Sequence, residues 1–266
     1  MITIKEYRKA ESLQEAYDLY QKKSNTVIGG MLWLKMQKRT VGTAIDLSSL
    51  GLDMIEDMGD EVHIGAMVTL RQFETNGLLN QLTGNAVRES VRNIVGVQFR
   101  NIATVGGSVY GRFGFSDVIT VLMAMNSRVV MYKEGEIPLK DFAAMKRTRD
   151  ILVKIIVPKA DCNVVYQSMR QTKTDFPVLT CCAFRNSMGT GCVIGARPGT
   201  ARVAADQENI LAAGLTEDRI KAFAEYVSGN TSFGSNLRGS SEYRARICRT
   251  LVKRTLTALE KGETSC

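Results

Sequence analysis

The chain has 266 residues, 44% of them hydrophobic, which is enough to bury two modest cores, and we expect two tightly joined domains. No run of about 18 apolar residues occurs, and the first residues mix charges with apolar side chains, which argues against a membrane span and a signal peptide and predicts a cytoplasmic protein. The net charge of +8 fits an anionic cofactor or an acidic partner surface, whereas scattered basic residues without an aromatic and basic platform argue against nucleic acid.

The N-terminal segment predicts a small strand-helix-strand unit over about residues 1–55. A capping-box pattern at Ser12–Glu15 and the apolar stripe after it indicate a helix from about Ser12 to Lys22. Asn25–Ile28 has the pattern of a strand that Gly29 and Gly30 end, and Thr43–Leu47 has the pattern of a second strand.

The next segment, about residues 56–160, predicts a second subdomain that completes a first domain of residues 1–160. It contains a strand near 61–66, helices near 69–76 and 86–95, and a glycine-rich segment at 104–114. Ser116 is placed to cap an apolar helix over 118–125, and strands follow at 127–132 and 151–157.

Residues 161–266 predict a second, smaller domain. Three strand-like runs lie at 164–169, 178–184 and 191–196, and three helical stretches follow as far as Leu259. We therefore expect an α+β fold whose C-terminal domain is a three-stranded antiparallel sheet with helices.

The cysteines and the single histidine do not form a metal-binding pattern. No CxxC pair occurs, and Cys181 and Cys182 would point to opposite faces of a strand. We predict no metal site and, since no acid-base or nucleophile constellation has convincing spacing, no catalytic residues in this chain.

Two glycine-rich segments can present bare backbone amides to an anion. These are Val27–Leu32 and Ala103–Gly111, and two such turns in one domain can hold a pyrophosphate between them. Neither matches the GxGxxG or GxxxxGK[ST] fingerprints, and a Gly-Gly pair alone is most often a plain tight turn.

The flanking residues make the pattern specific. Arg100–Ser108 reads RNIATVGGS and is followed by Ser116-Asp117, while Gly239–Arg244 reads GSSEYR. Together with Val27–Leu32, these motifs resemble the FAD-binding medium subunits of molybdenum hydroxylases, the xanthine dehydrogenase and carbon monoxide dehydrogenase family, across nearly the whole chain. The resemblance implies a two-subdomain, PCMH-like FAD-binding domain followed by a C-terminal flavoprotein domain.

The resemblance also implies how FAD is held. Both glycine segments would bind the pyrophosphate with the Thr104 hydroxyl as an added donor, Asp117 would accept from sugar hydroxyls, and Ile94 and Leu152 would border the isoalloxazine ring. An acid at a helix N-terminus explains Asp117 without a ligand, and plain core packing explains Ile94 and Leu152 equally well. The implied cofactor-binding set is Val27, Ile28, Gly29, Gly30, Met31, Leu32, Ile94, Ala103, Thr104, Gly106, Gly107, Ser108, Gly111, Asp117 and Leu152.

The chain departs from the family pattern at several positions. Met31 and Leu32 stand where relatives usually have Thr and Asp, and Ser108 stands where they have Asn. Relatives often carry a lysine near the flavin in the stretch that here reads Tyr166-Gln167-Ser168-Met169. A neutral residue there should leave the flavin harder to reduce.

The family resemblance implies an electron-transfer subunit. A molybdopterin-binding large subunit and a 2Fe-2S small subunit would be its partners, and NAD or another acceptor would take the electrons from FAD. Two alternatives remain, a flavin-free scaffold subunit and a single-chain FAD-dependent reductase. Either solvation or subunit docking explains the basic C-terminal helix, which carries Arg244, Arg246, Arg249, Lys253 and Arg254.

Overall fold

The chain opens with a three-stranded parallel sheet and one helix, in a computed structural model that describes residues 1–263. The Ser12 hydroxyl caps the helix by accepting the Glu15 amide at 3.1 Å, as the capping pattern predicts. The first strand was not predicted, because it lies at the sheet edge and its charged residues remain exposed. In spatial order the strands are β1 (Thr3–Lys9), β3 (Thr40–Asp46) and β2 (Thr26–Ile28), with α1 (Leu13–Gln21) between β1 and β2.

The middle of the chain is a five-stranded antiparallel sheet packed against short helices. The two outermost strands are short and were not predicted. In spatial order the strands are β4 (Ile55–Asp57), β5 (Glu61–Gly65), β8 (Leu152–Pro158), β6 (Arg128–Met131) and β7 (Gly135–Pro138). The helices are α2 (Leu70–Thr75), α3 (Gly77–Leu82), α4 (Ala86–Val91), α5 (Val97–Arg100), α6 (Val105–Gly111), α7 (Asp117–Ala124) and α8 (Leu139–Ala144).

Helix α6 forms where the sequence predicted a glycine-rich turn. Its sequence, VGGSVYG, has low intrinsic helix propensity because glycine loses more conformational freedom than other residues. The helix is nevertheless capped at Thr104 and packs closely, since a Cβ on Gly106 would lie 2.4 Å from the Ala66 carbonyl oxygen. Glycine at 106 therefore permits close packing of a helix.

The C-terminal sheet has four antiparallel strands, and the prediction of three was wrong. The missed strand, β12, is a short edge strand that leaves all four of its residues at least partly exposed, so it lacks a clear apolar alternation. Two α-helices follow in the described part of the chain, rather than three. The elements are β9 (Val164–Arg170), β10 (Pro177–Asn186), β11 (Gly189–Gly195), β12 (Arg202–Ala205), α9 (Glu217–Asn230) and α10 (Ser241–Lys261).

A continuous core joins the middle sheet to the C-terminal sheet. All eight residues of α7 are buried, and its Thr120 hydroxyl lies 3.0 Å from that of Thr180 on β10. Cys182 faces this core while Cys181 faces α9 and α10, which confirms that the adjacent cysteines point to opposite faces. The division into residues 1–160 and 161–266 stays a prediction.

Within residues 1–263, no helix is both long and apolar enough to cross a bilayer. In the same part of the chain, no cluster of His, Cys, Asp and Glu is arranged to hold a metal ion.

Candidate functional site

A cavity of about 450 Å³ lies between the first glycine turn (residues 27–32), the start of α6 and the end of β9. This volume is within the range of roughly 300–1,000 Å³ that is usual for ligand pockets. Fourteen of the fifteen predicted cofactor-binding residues line the cavity; only Gly30 does not. The fourteen are Val27, Ile28, Gly29, Met31, Leu32, Ile94, Ala103, Thr104, Gly106, Gly107, Ser108, Gly111, Asp117 and Leu152.

The two glycine segments contact each other, which explains why glycine is needed in the first turn. A Cβ on Gly29 would lie 2.7 Å from the Thr104 hydroxyl oxygen. Gly30 has φ +71°, and a Cβ there would lie 2.1 Å from the Ile102 carbonyl oxygen. The first turn is therefore held directly against the chain that leads into α6.

The first turn carries a run of free backbone donors. The amides of four consecutive residues, Gly30 to Trp33, have no acceptor anywhere in residues 1–263. Gly30 and Met31 both have positive φ, at 71° and 58°. A run of unbonded amides beside a cavity is the arrangement that binds phosphate oxygens.

The amides at the start of α6 are already bonded within the protein. Val105 donates to the Val68 carbonyl at 2.8 Å, Gly106 to the Ala66 carbonyl at 2.9 Å, and Gly107 to the Thr104 hydroxyl at 3.0 Å. The hydrogen of the Thr104 hydroxyl has no acceptor among the described residues. The second glycine segment therefore supplies close packing and one free hydroxyl donor. The expected second row of free amides is not present at Val105 to Gly107.

Asp117 lies at the first position of α7 and is fully enclosed. Its Oδ1 accepts from the Tyr166 hydroxyl and, at 2.6 Å, from Nη2 of Arg170. Burial raises the pKa of the Asp117 carboxyl, while the Arg170 guanidinium acts in the opposite direction. The Ser116 hydroxyl caps α7 by accepting the Ile119 amide at 3.2 Å, which confirms the predicted helix start.

Ile94 and Leu152 both line the cavity and both pack against the main core. Ile94 is half-buried and precedes Val95, a β-branched residue with φ +47°. Leu152 begins β8 and is only 5% exposed. Each residue can therefore form an apolar wall of the cavity while it also serves the core.

Four aromatic side chains in the cavity wall were not singled out from the sequence. Phe115 lies 4.5 Å from Phe176 and 5.2 Å from Phe113, measured between ring centroids, and the Trp33 ring lies 5.4 Å from Phe176. Three separate segments supply these rings, so no local pattern indicates the cluster.

The cavity lining carries more positive than negative side chains. Its three carboxylates are Asp117, Asp150 and Asp175, and the Asp150 carboxylate accepts the backbone amides of Lys133, Glu134 and Ile151. This excess of positive charge favours an anionic ligand. The five cations are Lys23, Arg39, Arg147, Arg149 and Arg170.

The basic helix α10 is less exposed than its sequence suggested. Arg244 is fully buried and donates from Nε to the Val178 carbonyl at 2.9 Å and from Nη2 to the Asn236 side chain at 2.7 Å. Arg249 pairs with Glu225 on α9. Arg244 is therefore a structural residue and is excluded from the docking surface considered in the sequence analysis.

A family model described as the FAD binding domain in molybdopterin dehydrogenase matches residues 3–160. The glyceraldehyde dehydrogenase medium chain of Sulfolobus acidocaldarius is 25% identical, over 92% of this chain and 95% of its own length. The nicotine 6-hydroxylase medium subunit of Paenarthrobacter nicotinovorans is 24% identical, over 94% of this chain and 95% of its own.

Solved structures share the fold over nearly the full length. A chain of carbon monoxide dehydrogenase from Hydrogenophaga pseudoflava superposes with a TM-score of 0.86 at 21% identity, covering 98% of both chains. A chain of quinoline 2-oxidoreductase from Pseudomonas putida 86 gives 0.85 at 18% identity, covering 97% of both.

Proposed function

Since the chain belongs to the family of FAD-binding domains of molybdopterin dehydrogenases, we propose that it transfers electrons through bound FAD within a molybdenum hydroxylase complex. It is an oxidoreductase subunit with the architecture of the medium subunits of such complexes. The substrate of the complex would be transformed on a partner subunit.

The observation that carries the proposal is the run of unbonded amides from Gly30 to Trp33 beside a cavity with positive lining. Backbone N-H groups suit a diphosphate because they add donors without the desolvation cost of more charged side chains. The Thr104 hydroxyl supports the same end of the ligand, since its hydrogen has no acceptor in residues 1–263.

Apolar and acidic residues would hold the rest of the cofactor. Ile94 and Leu152 would supply apolar contacts to a flat ring, and the Asp117 carboxylate would accept from sugar hydroxyls. When bound, FAD supplies one-electron and two-electron redox chemistry, so the chain's task is to bind, orient and shield it.

We propose a molybdopterin-binding large subunit and a 2Fe-2S small subunit as partners, with NAD or another carrier as the final acceptor. Support comes from two relatives, one a medium chain and the other a medium subunit, because such chains are components of multi-subunit enzymes.

The visible absorption spectrum of the purified chain tests the proposal. We expect a two-banded yellow spectrum, FAD released on boiling, and loss of colour in Asp117→Ala protein that remains folded. A colourless chain that does not bind added FAD would contradict the proposal and favour a flavin-free scaffold subunit.

A further inference from the structure

Arg170 is the last residue of β9, and one of its three guanidinium nitrogens has no hydrogen-bond partner in the part of the chain that the structure describes. Its side chain lines the cavity and is 7% exposed. Nη2 donates to Asp117 Oδ1 at 2.6 Å, and Nη1 donates to the Asp175 carbonyl at 2.5 Å. Nε is buried and has no acceptor in residues 1–263. A buried N-H without an acceptor is destabilising, so it is rarely retained without a purpose.

We propose that Arg170 is a further cofactor-binding residue whose Nε-H donates to an acceptor oxygen of the bound flavin nucleotide. This inference rests on the proposed function, because it takes FAD as the occupant of the cavity. It assigns a direct contact to the C-terminal domain, whereas the glycine motifs and Asp117 all belong to residues 1–160.

The surroundings of Arg170 fix its guanidinium plane. Tyr166 and Arg170 lie four residues apart on β9, so they share a face, and both donate to Asp117 Oδ1. The two terminal nitrogens are anchored at Asp117 and Asp175, which leaves Nε with one orientation. A planar guanidinium held at two points is a preorganised donor that loses little freedom on binding.

The same contacts give Asp117 and Arg170 different roles. Asp117 neutralises Arg170 through one carboxylate oxygen, and Asp117 also holds the position of the guanidinium. Without Asp117 the guanidinium would lose both its counter-charge and one of its two anchors. Arg170 therefore acts as the donor to the cofactor, and Asp117 is in addition a positioning residue for Arg170.

Arg170→Lys separates the proposed donor from the ion pair. Lysine keeps a positive charge that can reach Asp117, but it has no group at the position of Nε. The matched control is Arg100→Lys, because Arg100 is 6% exposed, pairs with Glu74 at 2.8 Å and does not line the cavity. Both variants remove a buried guanidinium from an ion pair, and only Arg170 lines the cavity; Arg100 contacts a lining residue only through the Ile94 carbonyl, at 3.0 Å from its Nη1.

Dissociation constants for FAD would be measured by quenching of flavin fluorescence, with thermal unfolding of each variant as the folding control. Loss of one hydrogen bond predicts roughly tenfold weaker binding for Arg170→Lys and less than twofold change for Arg100→Lys. Equal affinity of Arg170→Lys and wild type would overturn the inference while leaving the proposed function intact. A wild-type chain that does not bind FAD would instead refute the proposed function.

A second measurement needs no folded variant. The Nε-H resonance of Arg170, assigned through its own side-chain carbons in labelled wild-type protein, should move downfield when FAD is added and exchange more slowly with water. An unchanged resonance at saturating FAD would overturn the inference, because a purely structural ion pair does not respond at Nε.

Discussion

Replacing Gly30 with alanine tests whether the first glycine turn must pass directly against Ile102. Gly30 has φ +71°, and an added Cβ would lie 2.1 Å from the Ile102 carbonyl oxygen. Gly51 is a matched control, because its φ is +66° and nothing lies within 4 Å of its Cβ position. Left-handed backbone costs alanine about 1–2 kcal/mol at either site. Only Gly30→Ala adds a clash with backbone, and overpacking typically costs about 1–3 kcal/mol.

Gly51→Ala should therefore lower the free energy of unfolding by about 1–2 kcal/mol, and Gly30→Ala by about 2–5 kcal/mol. Urea unfolding of the flavin-free proteins measures this difference. Moving the turn also displaces the free amides, so Gly30→Ala should bind FAD about tenfold more weakly, while Gly51→Ala binds as wild type does. Equal destabilisation of the two variants, together with unchanged FAD affinity of Gly30→Ala, would refute the reasoning.

Three further predictions concern Thr104, Glu74 and Arg244. Thr104→Val removes the cap of α6, so it should lower the free energy of unfolding in urea by about 1 kcal/mol and weaken FAD binding. Thr104→Ser keeps the hydroxyl and should retain both the stability and the FAD affinity. Equal behaviour of the two variants would contradict the assigned role of the hydroxyl. Burial alone would raise the pKa of the Glu74 carboxyl, but Arg100 and Arg71 hold this pKa below its usual value of 4.5. The ionised carboxylate therefore stabilises the fold above pH 4.5, and this stabilisation is lost as the pH falls through the folded-state pKa. The stability deficit of Glu74→Gln, measured by urea unfolding, should therefore shrink from pH 7 to pH 3, and a constant deficit would contradict the ion pair's role. Arg244→Met should lower the free energy of unfolding by about 3 kcal/mol, because it leaves buried carbonyls without donors. Arg246→Met, on the exposed side of α10, should have little effect. Similar losses of stability in the two variants would contradict the burial of Arg244.

The parts of the site that the sequence predicted are those encoded by local rules. Gly29 and Gly30 end a strand, and Ser116 followed by an apolar run begins a helix, so each feature is contained in a few neighbouring residues. The opposite orientation of Cys181 and Cys182 follows from the two-residue period of a strand. The family motifs predicted how these local features follow one another along the chain.

The parts that the sequence did not predict depend on tertiary contacts. Helix α6 forms despite its glycines because Val68 and Ala66 accept the first two amides and the surrounding core encloses Val105 and Val109. The missed edge strands β1 and β12 bury too little to show an alternating pattern. Trp33, Phe115 and Phe176 meet only once the first turn and the end of β9 are folded together.

Hydrogen exchange of individual backbone amides, with and without FAD, tests the central claim most directly. The amides of Gly30 to Trp33 have no acceptor in residues 1–263 and should exchange rapidly in the flavin-free chain, then become strongly protected when FAD binds. Those of Val105 to Ser108 are bonded already and should be protected in both states. FAD binding that leaves Gly30 to Trp33 unprotected would show that the first glycine turn does not hold the diphosphate.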